Sequence, residues 1–355
     1  MSIKFGVIGT GGIGHIHLKA LKAAGLEVVA LAEPSEAALN SAKELAPQAK
    51  LYSDWRELLA DPEVTAVNIC TINALHFEIL QAAVAAGKHV ICEKTLTVDG
   101  QQAREAAQKI QPAPGQVVQS AYMKRFFPAS VQAKAWLAEI GTPLCATVRS
   151  FQGGWCDEGI FNDDNWRPNA NGEPSRIRFY ATGGILNMAG SHMLDMTNWL
   201  LGEPASVACT TWAPDGYDAE LHTHALFKMR SGVAVHFEAA VSNFKGTGIY
   251  ENGWDEYIQI DGTKGRVEVY YPIWNQPTDF AARARVYRES TKTWEEFEHK
   301  VADPFQLEME AFARSCEKGQ AENVPTLRDG LLVDLWIDAC YQSAKTGQQV
   351  AFSSI

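Results

Sequence analysis

The sequence predicts an α/β Rossmann domain with a parallel sheet, followed by an α+β C-terminal domain with a large, mainly antiparallel open sheet. Three observations carry that expectation. Over the first 120 residues, short, largely apolar runs alternate with segments of helical spacing. The glycine-rich turn Gly9-Thr10-Gly11-Gly12-Ile13-Gly14 joins the first apolar run to the first helix. From Leu144 onward the pattern changes to apolar/polar alternation, as in CATVRS, VAVHFEAAV and GRVEVYY. Strands apolar along their whole length are buried on both faces, as in a parallel sheet between two layers of helices. Alternation instead marks a sheet with one covered face.

Taken in order, Ile3–Ile8 is the first strand. Apolar positions at Ile13, Ile16, Ala20, Leu21 and Ala24 give a helix that Gly25 stops. Glu27–Ala32 is the second strand, and Ala66–Cys70 and His89–Cys92 are two more, separated by a helix over Ala74–Ala86 that ends at Gly87. A helix over Gln101–Ile110 leads to a strand at Gln116–Ser120. A chain of 355 residues is too long for one comfortable core. The boundary falls just after Ser120, which gives domains of 1–120 and 121–355. In the second domain, turns at Asp261-Gly262 and Lys264-Gly265 separate strands, and helices are expected at Met188–Leu201, Gln306–Glu317 and Asp329–Ala344.

The formal net charge is −11, with no basic cluster, which argues against a nucleic-acid partner. The N-terminus has no signal-peptide layout and no apolar run approaches membrane-spanning length, so a cytoplasmic protein without membrane partners is expected. The seven cysteines show no CxxC pair, which favours reduced thiols over disulfides or zinc. His222 and His224 share one strand face, but no Cys or carboxylate cluster joins them. No metal is expected.

The glycine turn has the GxGxxG spacing, with a strand before it and a helix after it. Gly9 permits the tight turn, Gly11 lets the backbone approach a pyrophosphate, and Gly14 lets helix and strand pack closely. The helix N-terminus then presents unpaired N–H groups to the phosphates. Thr10, Gly12 and Ile13 complete that cofactor loop. Glu33 ends the second strand about 20 residues further on, where a carboxylate hydrogen-bonds the adenosine ribose. It would repel the 2′-phosphate of NADP, and only Pro34 and Ser35 follow it. NAD is therefore favoured over NADP. The other reading of Glu33 is a cap for the next helix.

Further stretches carry a family resemblance. Thr71-Ile72-Asn73-Ala74-Leu75-His76 follows one strand and Cys92-Glu93-Lys94-Thr95 the next. They resemble the TPNxxH and EKP segments of the Gfo/Idh/MocA oxidoreductases. Ala121 to Pro128 resembles that family's GYMxRFxP stretch, Asn165-Trp166-Arg167 its WR segment, and Gly183 to His192 its GGxxxDxGxH motif. The resemblance runs nearly the whole chain in the right order. It implies an NAD(P)-dependent dehydrogenase that moves hydride between the nicotinamide and a secondary alcohol of a sugar, sugar derivative or cyclitol. It assigns Lys94 and His192 as catalytic, and Thr71, Asn73, His76, Glu93 and Lys94 to the cofactor side. Tyr122, Arg125, Trp166, Arg167, Arg178, Asn187 and His192 become candidate substrate contacts. Chemistry agrees, because a partly buried lysine has a lowered pKa and can share the hydroxyl proton. An imidazole suits a general base.

The chain departs from the family pattern in three places. EKP is EKT, with Thr95 for proline. The motif's Asp is Met188. The stretch from Pro168 to Thr182 is longer and more basic than expected, and carries Arg176 and Arg178. Two other activities fit the same residues: an NAD-dependent glycosidase acting through transient oxidation and elimination, and a non-catalytic sugar- or dinucleotide-sensing regulator. The apolar faces of VAVHFEAAV and GRVEVYY, judged larger than two or three helices can cover, point to a second subunit, and the resemblance implies a homodimer or homotetramer.

Overall fold

In the computed structural model the described residues are 3–153, 184–213, 219–274, 276, 279–297 and 301–352. The chain divides into two compact units, one from Met1–Phe126 with Asp303–Leu335 and one from Phe127–Ala302 with Trp336–Ser354. The expected division falls after Ser120; by compactness the first unit also takes in Asp303–Leu335, because helices there carry apolar residues that the Rossmann core uses. Phe312 packs its ring 6.0 Å from that of Phe5, and Leu331 and Leu335 join the cluster around Val90, Leu96 and Ala103.

The first unit holds six parallel strands in the order β3-β2-β1-β4-β5-β6. These are β1 (Lys4–Ile8), β2 (Glu27–Ala32), β3 (Lys50–Tyr52), β4 (Ala66–Ile69), β5 (His89–Glu93) and β6 (Val118–Ala121). Helices α1 (Gly12–Ala23), α2 (Glu36–Lys43), α3 (Trp55–Ala60), α4 (His76–Ala85) and α5 (Gly100–Lys109) connect them. The elements α2, β3 and α3 are additions to the sequence reading. They are short, and their helices start on side-chain caps, Ser35 accepting from the Ala38 N–H and Asp54 from the Arg56 N–H. Strand order reverses between β1 and β4, so the carboxyl ends of these strands open a crevice for a ligand.

The second unit is built on a nine-stranded sheet. Its strands are β7 (Pro143–Gly153), β8 (Pro204–Trp212), β9 (His222–Met229), β10 (Ala234–Ser242), β11 (Trp254–Gly262), β12 (Gly265–Tyr271), β13 (Arg283–Arg288), β14 (Thr293–Phe297) and β15 (Val350–Ala351). Only the β7–β10 pair is parallel. Helices α6 (Pro128–Trp136), α7 (Ser191–Leu201), α8 (Pro304–Lys318) and α9 (Leu327–Thr346) complete the described elements. The apolar faces of β10 and β12 do not await another subunit. Val235, Phe237, Val267 and Val269 are all buried within the single chain, since α6 lies on β12 and β13 and the turn at Leu186–Gly190 lies on β10. Among the described residues no helix is long and apolar enough to cross a membrane. Trp155, Asn165, Trp166, Arg167, Arg176 and Arg178 lie outside the described residues.

Candidate active site

The loop after β1 is shaped by what its glycines leave out. Gly9 has φ +88°, and a Cβ there would stand 2.7 Å from the Cys70 carbonyl. A Cβ on Gly14 would stand 2.2 Å from the Gly9 carbonyl oxygen, so α1 could not approach β1 as closely. Gly11 and Gly12 differ, for nothing lies within 4 Å of a Cβ at either. Their backbone therefore borders open space, and α1 starts at Gly11 with no side-chain cap. The hydroxyls of Thr10 and Thr71, at the ends of β1 and β4, are buried with no hydrogen-bond partner among the described residues. Bare helix N–H groups, an open glycine backbone and two waiting hydroxyls fit a dinucleotide pyrophosphate. Glu33 closes the loop's far side, accepting from the Thr10 N–H at 3.0 Å and the Ser35 N–H at 3.1 Å. Ser35, not Glu33, caps α2.

The turn after β5 is held by side chains. Lys94 leaves the strand half-buried, and burial pushes its ammonium below the usual lysine range while the Glu93 carboxylate pulls the other way. The Lys94–Thr95 peptide is cis. Three groups brace this turn. Glu93 accepts from the Lys94 N–H at 3.1 Å and from the His17 imidazole at 2.7 Å. His76 spans two carbonyls, Thr95 O at 2.7 Å and Thr71 O at 3.0 Å, and so ties the loops after β4 and β5 together. Asp334 of α9 accepts from both the N–H and the hydroxyl of Thr97, at 2.9 and 2.7 Å.

The other expected site residues fall into two groups. In the first unit, Thr71 sits at the crevice end of β4 and Asn73 opens the 3-10 turn Asn73–Leu75 that follows. His76 is 1% exposed, with both ring nitrogens facing backbone carbonyls, so it braces the two loops at the crevice. Glu93 is likewise occupied by His17 and the Lys94 backbone. Tyr122 is buried, and the Arg125 guanidinium pairs with Asp329 at 3.4 Å. In the second unit, Asn187 lies in the π-helical turn Leu186–Gly190, and His192 is the second residue of α7. Glu220 brings a buried carboxylate to the start of that segment, accepting from the Leu186 N–H at 2.9 Å and the Tyr341 hydroxyl at 3.1 Å. Burial pushes its carboxyl up. His222 lies against Trp212 with ring centroids 5.0 Å apart, and no cluster of three or more metal-ligating side chains occurs among the described residues.

Two family profiles match this chain. The NAD-binding Rossmann fold of an oxidoreductase family covers residues 3–121, and the same family's C-terminal alpha/beta domain covers residues 138–352. The chain belongs to the Gfo/Idh/MocA oxidoreductase family. It is an oxidoreductase-family chain whose N-terminal domain is that family's NAD-binding Rossmann fold. Inositol 2-dehydrogenase of Salmonella typhimurium is 27% identical over 365 residues, covering 98% of this chain and 96% of its own length. D-xylose 1-dehydrogenase (NADP(+)) 2 of Haloferax volcanii is 28% identical over 348 residues, covering 98% of each. Levoglucosan dehydrogenase in complex with NADH shares the fold across both whole chains, with a TM-score of 0.83 at 23% identity. Within this Gfo/Idh/MocA chain, sequence reasoning passed over His17, Asn68, Thr97 and Asp334. His17 did leave a trace: it shares the buried stripe of α1 with Gly14, Leu18 and Leu21, where a polar residue is out of place.

Proposed function

We propose that this chain oxidises a secondary alcohol of a sugar or cyclitol, with Lys94 handling the hydroxyl proton. One observation carries the reading. A lysine stands at the carboxyl end of the parallel strand β5, half-buried, with burial lowering its hold on a proton. The inositol and xylose dehydrogenases similar to this chain support the substrate class.

Bound NAD supplies the hydride acceptor. The glycine loop Gly9–Gly14 would hold its pyrophosphate and Glu33 its adenosine ribose, with Thr71 and Asn73 bordering it from β4. The reacting carbon loses hydride and its hydroxyl loses a proton, leaving a ketone, NADH and a released proton. Lys94, entering as the amine, takes that hydroxyl proton. As the ammonium it then hydrogen-bonds the carbonyl oxygen and steadies its partial charge. His192 and Asn187 are the second unit's candidates for proton handling and hydroxyl binding. The chain is expected to assemble as a homodimer or homotetramer through the outer sheet face, where Trp212 and Leu226 are exposed. A monomeric mass by light scattering at micromolar concentration would refute that.

The test is a screen of myo-inositol, D-xylose, levoglucosan and related polyols with NAD, followed at the NADH absorbance. One substrate should yield one NADH per carbonyl formed, a ketone from a ring hydroxyl or a lactone from an anomeric one. Cleavage of a glycoside with no net NADH would overturn the reading in favour of the redox-neutral glycosidase.

A further inference from the structure

Beneath the Lys94 turn lies a fully buried chain of polar groups that the proposed reaction does not use. His17, on α1, is wholly buried. Its Nδ1 stands 3.1 Å from Asn68 Oδ1 and its Nε2 2.7 Å from Glu93 Oε1. The orientation of Asn68 is fixed independently. Its amide nitrogen donates to the Met309 sulfur at 3.5 Å, and its oxygen also accepts from the Cys70 thiol at 3.3 Å. His17 Nδ1–H therefore donates to that oxygen. A neutral ring protonated there would turn the bare Nε2 lone pair toward a carboxylate. At 2.7 Å only a protonated Nε2 is favourable, so the ring is an imidazolium facing a carboxylate.

We propose that His17 is a positioning residue that sets the proton affinity of Lys94 through Glu93. The Glu93 carboxylate touches both sides of the relay, His17 through Oε1 and the Lys94 backbone N–H through Oε2. Its negative charge favours the ammonium form of Lys94, which cannot act as a base. The imidazolium of His17 takes up that charge, and burial is then free to favour the amine. The directions agree. Burial opposes charge on His17, yet its contact with the Glu93 carboxylate raises its pKa, and His17 and Lys94 together hold the Glu93 carboxyl below its ordinary range against burial. The other titratable groups facing this relay are Cys70 of β4, whose thiol burial keeps protonated, His76 of α4, which burial keeps toward neutral, and the buried Glu308 of α8. Cys70, as the thiol, supplies no competing charge, and His76 faces two backbone carbonyls rather than Glu93. This inference rests on the reading of Lys94 as the proton-handling residue.

The test reads Lys94 directly. The purified full chain, with and without NAD, is labelled with 1-fluoro-2,4-dinitrobenzene across a pH series, and the Lys94 peptide is followed by mass spectrometry. His17→Gln should move the Lys94 labelling midpoint up by about one pH unit, a tenfold loss of amine at fixed pH. Glu93→Gln should move it down by a similar amount. The acidic limb of kcat/KM for oxidation should follow in the same directions. Midpoints unchanged in both folded variants, or shifted the same way in both, would overturn the proposal. Because labelling needs no substrate, opposite shifts in a protein that oxidises no sugar would uphold the relay and sink the proposed activity instead.

Discussion

The loops after β1 and β5 end neighbouring parts of one parallel sheet, yet they are built in opposite ways. The β1 loop is cleared. Its glycines remove side chains, Gly11 and Gly12 face open space, and the only tight packing is backbone on backbone at Gly9 and Gly14. The β5 turn is crowded, with Lys94 braced by His17 from α1, His76 from α4 and Asp334 from α9. A loop that binds phosphates needs peptide N–H groups within reach and nothing in the way. A loop that does chemistry needs one side chain held at one angle and one proton affinity, which takes neighbours. Substitutions in the first loop should therefore act on cofactor binding, and those around the second on turnover.

The sharpest test of that contrast is Lys94→Ala. It should lower kcat by on the order of a thousandfold or more while NAD binding by calorimetry stays within a few-fold of the parent. His192→Ala should lower kcat about a hundredfold and remove a limb of the pH–rate profile near neutrality, with NAD binding again retained. Loss of NAD binding in Lys94→Ala would erase the distinction between the loops.

Gly14→Ala is the reciprocal test. Its Cβ would press against the Gly9 carbonyl oxygen at 2.2 Å, and neither atom belongs to a flexible side chain. The loop must shift, and NAD affinity should fall by about 2–4 kcal/mol, as for other overpacked sites. Turnover at saturating NAD should change far less. A Gly14→Ala enzyme with parental NAD affinity would show that the loop has slack.

Asp334 tests the crowded side without touching Lys94. Burial pushes its carboxyl up to about 7, against the hydrogen bonds from Thr97. The unfolded chain releases this proton near the ordinary carboxylate value of about 3.9, whereas the folded chain holds it to about 7. Between those values the folded state binds more protons, so this residue makes stability fall as pH rises through that window. Asp334→Asn should remove that fall, flattening the difference between pH 5 and pH 8 by about 1–3 kcal/mol in thermal unfolding. Asp334→Ala, which also strands Thr97, should lower kcat about tenfold with unchanged NAD affinity. An unaltered pH dependence in Asp334→Asn would remove Asp334 from the bracing of the turn.

The same contrast explains what the sequence discloses. Backbone conformation is written locally, and Gly9 and Gly14 announce the cleared loop because a Cβ at either would strike backbone. Lys94 is legible because it directly follows the apolar strand His89–Glu93. Its braces are not. Asp334 lies 237 residues beyond Thr97, inside a helix whose apolar residues read as ordinary core. His17 is visible only as a polar residue on a buried stripe, and Asn68 only as a polar residue within an apolar strand. The return of α8 and the start of α9 to the first unit is hidden for the same reason. Amphipathic spacing says that a helix packs, not on which sheet.

Glu33 supplies the smallest effect and the finest distinction. Its carboxylate is fixed by two backbone N–H groups, Thr10 at 3.0 Å and Ser35 at 3.1 Å, so it belongs to the cleared loop while being its one charged wall. A carboxylate at the end of β2 is expected to repel a ribose 2′-phosphate and to accept from a free hydroxyl. Glu33→Ala with Pro34→Arg removes the first effect and adds a phosphate partner. The ratio of NAD to NADP affinity should narrow by about 10- to 100-fold, which is about 1.4–2.8 kcal/mol. Glu33→Ala alone should weaken both cofactors somewhat, because the Thr10 and Ser35 N–H groups lose their acceptor, and should narrow the ratio less. Equal affinity of the parent enzyme for NAD and NADP in a calorimetric titration would show that this carboxylate organises the loop without selecting the cofactor.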